Sequence, residues 1–201
     1  MSNKKGKLVI LSAPSGAGKT TICKNLLNMN KDWQYSISAT TRPMRENEID
    51  GKDYYFLSKE KFEHKEKFGE FIECEWVHGN RYGTPVQPLE DALDNGNVFL
   101  LDIDVKGAMS LIEDFGEDCL SVFIEPPGIN IQEKLESLNE RLLNRGGSNE
   151  TLIKQRLKRF ELELSYKEKI KLILPSSLSF INEDLEETTN EINQNIKENL
   201  K

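Results

Sequence analysis

The feature that most constrains the fold is a glycine-containing loop that directly follows an apolar strand. Residues 8–11 read LVIL, and residues 13–20 read APSGAGKT. A strand, a loop and a helix in this order bring backbone N–H groups and the positive end of the helix to one point, which suits a phosphate. Gly16 and Gly18 allow the backbone angles that such a loop requires. The segment therefore predicts a phosphate-binding loop in an α/β protein.

Two side chains at the end of this loop complete the predicted site. Lys19 would reach the outer phosphates, and the Thr20 hydroxyl would bind Mg²⁺. Ala13 stands where the pattern G-x-x-x-x-G-K-[ST] has its first glycine. The alternative is an ordinary helix N-terminus, because Gly-Lys-Thr is common. The helical spacing of the apolar residues at 22, 26 and 27 favours the phosphate-binding interpretation.

Length, charge and cysteine content limit the class of protein. A chain of 201 residues fits one domain with an inserted subdomain, and its net charge of −7 argues against nucleic acid as the main partner. Three widely spaced cysteines and two histidines predict reduced thiols and no zinc site. The N-terminal residues form no apolar signal segment, and no run is long enough to cross a membrane. We therefore expect a cytoplasmic protein.

Alternating strands and helices predict a parallel sheet covered on both faces. Residues 98–101 and 121–124 are predicted as central strands, with a crossover helix over 105–115. Residues 35–84 contain short aromatic segments and turn signals, which indicate a small β-rich insertion. Two amphipathic stretches, 131–142 and 153–164, flank Gly146-Gly147 and predict a two-helix arm. The tail from 182 to 201 is predicted as an acidic helix.

Two groups of arginines suggest sites for anions. Arg42 and Arg45 flank Pro43 on a loop and could each bind two phosphate oxygens. Solvent-exposed charge is the alternative for this pair. On the predicted arm, arginines three or four residues apart lie on one helix face and repel one another. An anionic ligand would relieve this repulsion. An ordinary charged surface is the alternative there. The arm residues are Arg141, Arg145, Arg156 and Arg159.

Asp102 lies where a predicted central strand ends, at the sheet edge that binds ligands in α/β proteins. Its carboxylate could hold Mg²⁺ through water, next to Thr20. Capping of the following helix is the alternative, and Asp104 could also serve as the cap.

With these segments in order, the sequence closely resembles the guanylate kinase family over nearly its whole length. The resemblance rests on residues 12–21 (SAPSGAGKTT), 38–45 (SATTRPMR), 51–56 (GKDYYF), 71–73 (FIE), 82–84 (YGT) and 101–107 (LDIDVKG). It implies an α/β fold with a P-loop kinase core, a small β-rich GMP-binding insertion and a helical lid. The implied core covers about 1–34, 85–130 and 165–201, the GMP-binding region about 35–84, and the lid about 131–164.

The resemblance also implies the reaction, which is Mg²⁺-dependent transfer of phosphate from ATP to GMP, and to dGMP. The implied ATP-binding residues are Ser15, Gly16, Ala17, Gly18, Lys19, Thr20, Thr21 and Asn182. The implied GMP-binding residues are Ser38, Arg42, Arg45, Tyr54, Glu73, Tyr82, Thr84, Asp102 and Asp104. Catalysis would depend on Lys19, Arg42, Arg141, Arg145 and Arg156, and Mg²⁺ would lie at Thr20 and Asp102.

Glu73 is the residue whose chemistry best explains a preference for guanine. Guanine presents a ring N–H beside an amino group, and an ionised carboxylate accepts two hydrogen bonds.

Two alternatives for the function of the chain remain at this point. The chain could be a non-catalytic binding module with the same fold, or a kinase for another nucleoside monophosphate. We expect a monomer or homodimer that acts on small molecules.

Overall fold

The computed structural model describes residues 5–77, 79–144 and 150–200. It confirms the predicted α/β fold, with helices on both faces of a parallel sheet and a separate small sheet. The elements in chain order are β1 (Lys7–Ser12), α1 (Lys19–Met29), β2 (Gln34–Tyr35), β3 (Ala39–Thr40), β4 (Tyr55–Phe56), α2 (Lys59–Lys67), β5 (Phe71–Val77), β6 (Asn80–Pro85), α3 (Gln87–Asp94), β7 (Val98–Asp102), α4 (Val105–Phe115), β8 (Cys119–Glu125), α5 (Ile131–Asn144), α6 (Glu150–Ile173), β9 (Leu178–Ile181) and α7 (Leu185–Asn199).

The large sheet has the order β2-β7-β1-β8-β9 within the described residues, and all its paired strands are parallel. β1 lies in the middle, with Leu11 beside Asp102 of β7 and Ser12 beside Phe123 of β8. Because parallel strands end at the same edge, this register brings the predicted phosphate loop next to Asp102.

The central strand is buried on both faces, which explains its continuous apolar sequence. Val9 and Leu11 pack into one hydrophobic cluster with α1 and α7. Leu8 and Ile10 point the other way and pack with α3 and α4. Ala13 joins the first cluster, so this position supplies apolar contact as well as loop backbone.

The small sheet has the order β4-β3-β6-β5 and is formed by the predicted insertion. A helix, α2, lies between β4 and β5 and was not predicted from the sequence. Ser58 caps it by accepting a hydrogen bond from the Lys61 N–H at 3.2 Å. Phe62 is its buried residue and stacks on Phe71 of β5, with ring centroids 4.6 Å apart. The helix thereby covers one face of the small sheet.

The predicted arm consists of α5 and α6, and Gly146-Gly147 lies outside the described residues. α6 continues to Ile173, so it runs unbroken past the predicted end of the lid at about residue 164. The predicted start of the tail helix at residue 182 is wrong. β9 ends at Ile181, and α7 begins at Leu185 because Asp184 accepts a hydrogen bond from the Glu187 N–H at 2.8 Å.

Glu125 anchors the two arm helices to the end of β8. Its buried carboxylate accepts hydrogen bonds from Lys134 of α5, from Lys167 of α6 at 2.9 Å and from Ser179 of β9 at 2.6 Å. Burial alone would raise the pKa of Glu125, but the hydrogen bonds from Lys134, Ser179 and Lys167 lower it to about 2. The arm is therefore held at its base by a charged cluster that is ionised at neutral pH.

Cys23, Cys74 and Cys119 are free thiols, as predicted. Burial raises the pKa of each thiol, so all three are protonated at neutral pH. No helix in the described part of the chain combines the length and the apolar character needed to cross a membrane.

Candidate active site

Most of the predicted phosphate-loop residues meet Asp102 and Asp104 at a cavity of about 410 Å³ at the carboxyl edge of the large sheet. The phosphate loop, the end of β7 and one face of α6 form its walls. Its lining residues are Ala13, Pro14, Ser15, Gly16, Gly18, Lys19, Thr20, Asp102, Asp104, Arg159 and Glu163. A larger cavity of about 530 Å³ is lined by Tyr55, Leu57 and Phe71, and its described lining contains none of the predicted site residues. Charged and hydroxyl groups therefore converge on the smaller cavity.

The loop has the backbone conformation that its glycines predicted. Gly16 and Gly18 have φ angles of 102° and 101°, in the region that disfavours side chains. The Gly18 carbonyl accepts the N–H groups of Thr21 and Ile22, which starts α1 directly after the loop. The N-terminus of α1 thus points into the cavity.

Gly18 also packs closely against the side chain of Asn182. A methyl group there would collide with the amide nitrogen of Asn182. That nitrogen cannot shift freely, because it donates a hydrogen bond to the Ala17 carbonyl at 2.7 Å and Asn182 is buried. The position therefore requires glycine for two separate reasons.

We expect Gly18→Ala to destabilise the protein by more than the roughly 1–2 kcal/mol that a left-handed backbone costs an alanine. Gly69→Ala is the matched control, because Gly69 has a φ of 69° and open space around it. Urea denaturation of both variants measures the difference. Equal losses would show that Asn182 does not restrict this position.

Lys19, Asp102 and Thr20 form the charged centre of the cavity. The Lys19 Nζ lies 2.6 Å from Oδ1 of Asp102 and donates a hydrogen bond to the Ile103 carbonyl at 2.7 Å. The Thr20 Oγ1 lies 3.4 Å from Oδ2 of the same carboxylate. The lysine and the aspartate come from α1 and β7, and their meeting follows from the register of β1 and β7.

Arg141 and Asn182 support the loop from the side of the arm. Arg141 donates a hydrogen bond through Nη2 to the Asn182 carbonyl at 2.8 Å. Asn182 in turn holds Ala17, so the three residues tie α5 and the end of β9 to the phosphate loop. Arg145 lies outside the described residues, and so does the side chain of Arg156.

The predicted arginine loop forms a second charged centre on the insertion. Arg42 pairs with Glu48 through both terminal nitrogens, at 2.6 and 3.0 Å, and Glu48 also accepts the Arg45 N–H at 2.8 Å. The Arg42 guanidinium lies 5.5 Å from the ring centroid of Tyr54, which packs edge-on against Tyr82. Arg42 is thus fixed in place, whereas Arg45 is exposed.

The insertion interacts electrostatically with the end of β7. Burial and then the neighbouring Tyr82 raise the pKa of Tyr54, and the charge of Asp102 adds to this shift. Asp102 is therefore close enough to the insertion to interact electrostatically with it.

Glu73 lies in β5 beside Thr84 of β6, which donates a hydrogen bond to its Oε1 at 3.1 Å. A methyl group on Gly107 would collide with the Glu73 carboxylate, so this carboxylate packs directly on the start of α4. Burial and then the charge of Asp104 raise the pKa of Glu73 to about 7. The carboxyl is therefore close to half ionised at neutral pH.

Asp104 caps α4 by accepting the N–H groups of Lys106 and Gly107 at 2.9 and 3.0 Å. It also pairs with Arg159 of α6 at 2.7 Å. Arg159 lies 3.3 Å from the buried Glu163. Burial raises the pKa of Glu163 to about 7, although the positive charges of Arg159 and Lys19 act to lower it. Arg159 thus pairs with two carboxylates, those of Asp104 and Glu163, at the wall of the cavity.

Several residues of the site were missed by sequence reasoning. They are three glutamates that contact predicted site residues. Glu48 pairs with Arg42, Glu75 shares a hydrogen bond with Asp104, and Glu163 pairs with Arg159. Two local signals were available: Glu48 lies six residues after Arg42 and three after Arg45 on the same loop, and Glu163 lies four residues after Arg159 in a predicted helix.

Comparison with known proteins assigns the family. The sequence profile of the family described as guanylate kinase matches residues 5–199. The guanylate kinase of Chlorobium luteolum is 44% identical over 182 residues, which cover 90% of this chain and 86% of the relative. That of Chlorobaculum tepidum is 40% identical over 195 residues, covering 97% of this chain and 94% of the relative.

A solved structure agrees with these sequence matches. The crystal structure of guanylate kinase from Anaplasma phagocytophilum superimposes with a TM-score of 0.70 at 34% identity, covering 97% of this chain and 86% of that one. Together with the phosphate loop and the carboxylates beside it, these matches show that the chain belongs to the guanylate kinase family.

Proposed function

We propose that the chain catalyses the ATP-dependent phosphorylation of GMP to GDP through the residues of the phosphate-loop cavity and those of the insertion. The observation that carries this proposal is the presence of two charged centres, one at the phosphate loop and one on the insertion. Lys19 and Asp102 lie at the phosphate loop, and Arg42 lies on the insertion that also presents Glu73. The centre at the phosphate loop suits ATP, the phosphate donor, and the centre on the insertion suits GMP, the phosphate acceptor. We include dGMP as a second acceptor.

The donor, ATP, would bind through backbone N–H groups of the loop and the N-terminus of α1. Lys19 would move its amine from Asp102 to the outer phosphates, or share it between them. Asn182 supports this site by holding the Ala17 carbonyl, and it would lie near the adenine. The proposed ATP-binding residues are Ser15, Gly16, Ala17, Gly18, Lys19, Thr20, Thr21 and Asn182.

The residues at the loop fit a magnesium ion that is bound mainly by phosphate and water. Among the described residues, no group of three or more histidine, cysteine, aspartate or glutamate side chains could hold a metal ion alone. Mg²⁺ commonly takes one or two protein oxygens and completes its shell with water and phosphate. The Thr20 hydroxyl and the Asp102 carboxylate, 3.4 Å apart, would supply these oxygens, Asp102 through water. Bound there, Mg²⁺ would neutralise phosphate charge.

The acceptor would lie against the insertion. Its phosphate would contact Arg42 and Arg45 together with the hydroxyls of Tyr54 and Tyr82. Its base would contact the oxygen-bearing side chains at the junction of β5, β6 and α4. These base-contacting residues are Ser38, Glu73, Thr84 and Asp104, with Asp102 at the adjoining edge.

The reaction would be a direct in-line transfer, in which the protein supplies position and charge. Lys19 would neutralise the donor phosphates, and Arg42 would hold the acceptor phosphate. Arg141, Arg145 and Arg156 would approach the transferring group from the arm. The arm would also exclude water, which otherwise competes with GMP as acceptor.

The same family resemblance supports the proposed division of the chain and its setting. We assign the core to about 1–34, 85–130 and 165–201, the GMP-binding region to about 35–84 and the lid to about 131–164. We further propose a cytoplasmic monomer or homodimer that binds no nucleic acid, since the net charge is −7.

Initial-rate assays with ATP and Mg²⁺ against GMP, AMP, UMP and CMP test this function. We expect GMP to be used far more efficiently than the other three. Equal use of AMP would replace the proposal with a broader nucleoside monophosphate kinase. Binding of GMP without turnover would leave a binding module.

Glu48 is expected to act on GMP through Arg42. Glu48→Gln removes the charge that fixes the guanidinium, so GMP affinity should fall by about three- to tenfold while kcat changes little. Glu46→Gln is the control, because Glu46 is exposed on the same loop. Calorimetric titration with GMP measures the effect. Matching affinities in the two variants would show that Arg42 needs no support from Glu48.

A further inference from the structure

Asp104 is the point at which three segments of the chain meet. Its Oδ1 accepts the backbone N–H groups of Lys106 and Gly107, at 2.9 and 3.0 Å. Its Oδ2 accepts a hydrogen bond from Nη2 of Arg159 on α6, at 2.7 Å. The carboxyl of Glu75 on β5 shares a further hydrogen bond with it. Core, arm and insertion are thus joined at one side chain.

These contacts occupy the hydrogen-bond acceptor positions of the Asp104 carboxylate. An ionised carboxylate has about four lone-pair positions. Two are taken by the helix cap, one by Arg159 and one by the contact with Glu75. A guanine N–H can therefore pair with Asp104 only after one of these donors has left.

Arg159 is the donor whose hydrogen bond to Asp104 is easiest to break. The two backbone N–H groups are fixed by α4, and Glu75 is half-buried in β5. The Arg159 side chain is 50% exposed, and it keeps a second partner in Glu163 at 3.3 Å. Water can replace its bond to Asp104, and Arg159 keeps its contact with Glu163.

We propose that Arg159 competes with the guanine base for Asp104 and so lowers the affinity of the protein for GMP. The inference rests on the proposed role of Asp104 in binding guanine. Arg159 is then a positioning residue that acts through Asp104. Because the competition is reciprocal, GMP would also release α6 from the start of α4.

The experiment is calorimetric titration of the full-length protein with GMP at fixed pH, without ATP. Arg159→Gln removes the ion pair, and we expect its GMP dissociation constant to fall by about two- to fivefold, as suits a partly exposed pair. Arg159→Lys retains a charged donor and should stay near wild type. Lys158→Gln is the matched control for lost positive charge, because Lys158 is the exposed neighbour on α6.

A double-mutant cycle assigns the effect to Asp104. Asn is as good an N-cap as Asp, so Asp104→Asn should keep α4 folded while removing the charge that pairs with Arg159. Arg159→Gln should then change GMP affinity little in the Asp104→Asn background. Thermal melting of each variant confirms that the proteins compared are folded.

Three results would overturn the inference. Weaker GMP binding in Arg159→Gln would mean that Arg159 assists the base, and unchanged binding would mean that the two do not compete. An equal gain in the Asp104→Asn background would place the effect elsewhere. Failure of the wild-type protein to bind GMP would instead refute the proposed function itself.

Discussion

Lys19→Ala is expected to lower kcat by about a hundredfold or more while the protein stays folded. The reason is electrostatic, since Lys19 would be the fixed positive charge nearest the outer phosphates of ATP. Groups that stabilise charge in a transition state typically contribute at least this much. The measurement is the initial rate at saturating ATP and GMP, with purified protein.

Two comparisons separate a loss of chemistry from a loss of stability. Lys19 pairs with the partly buried Asp102 at 2.6 Å, so its removal leaves a carboxylate without its partner and should also lower the melting temperature. Lys24→Ala removes an exposed lysine from the same helix and should change neither property. If folded Lys19→Ala kept more than about a tenth of the wild-type rate, the role proposed for the loop would be wrong.

The sequence was most informative where function depends on local backbone. The phosphate loop could be predicted because two glycines, a strand and a helix within residues 8–29 determine its geometry, and Gly16 and Gly18 have the positive φ angles expected. The parallel sheet could be predicted because buried strands have continuous apolar sequences. Asp102 could be placed beside Thr20 because strand ends meet at one edge.

The parts that could not be predicted depend on contacts between distant segments. Arg159 looked like another arm arginine, and only the packing of α6 against α4 brings it to Asp104. Glu125 follows the predicted strand 121–124 and carries no local signal, yet it anchors α5, α6 and β9. β9 itself is four residues long, too short for its alternation to stand out from the neighbouring loop.

Glu73→Gln is expected to lower kcat/KM for GMP by about ten- to a hundredfold. The substitution keeps the shape but replaces one acceptor with a donor, which would face a donor of guanine. Mispaired buried polar groups typically cost about 1–3 kcal/mol. AMP presents a ring acceptor beside its amino group, so its use should fall less or improve. The ratio of kcat/KM for the two nucleotides, measured in both proteins, tests this, and an unchanged ratio would mean that Glu73 does not recognise the base.

The pH dependence gives an independent test of the same residue. Because the pKa of Glu73 is raised to about 7, its carboxyl is mostly protonated at pH 6 and mostly ionised at pH 8. Only the ionised form accepts both guanine hydrogen bonds, so GMP affinity of the wild-type protein should rise between these values. Ionisation of the GMP phosphate also changes over this range, but it acts equally on Glu73→Gln. The wild-type protein should therefore show a steeper rise than the variant. Parallel profiles would mean that another group controls the binding of guanine.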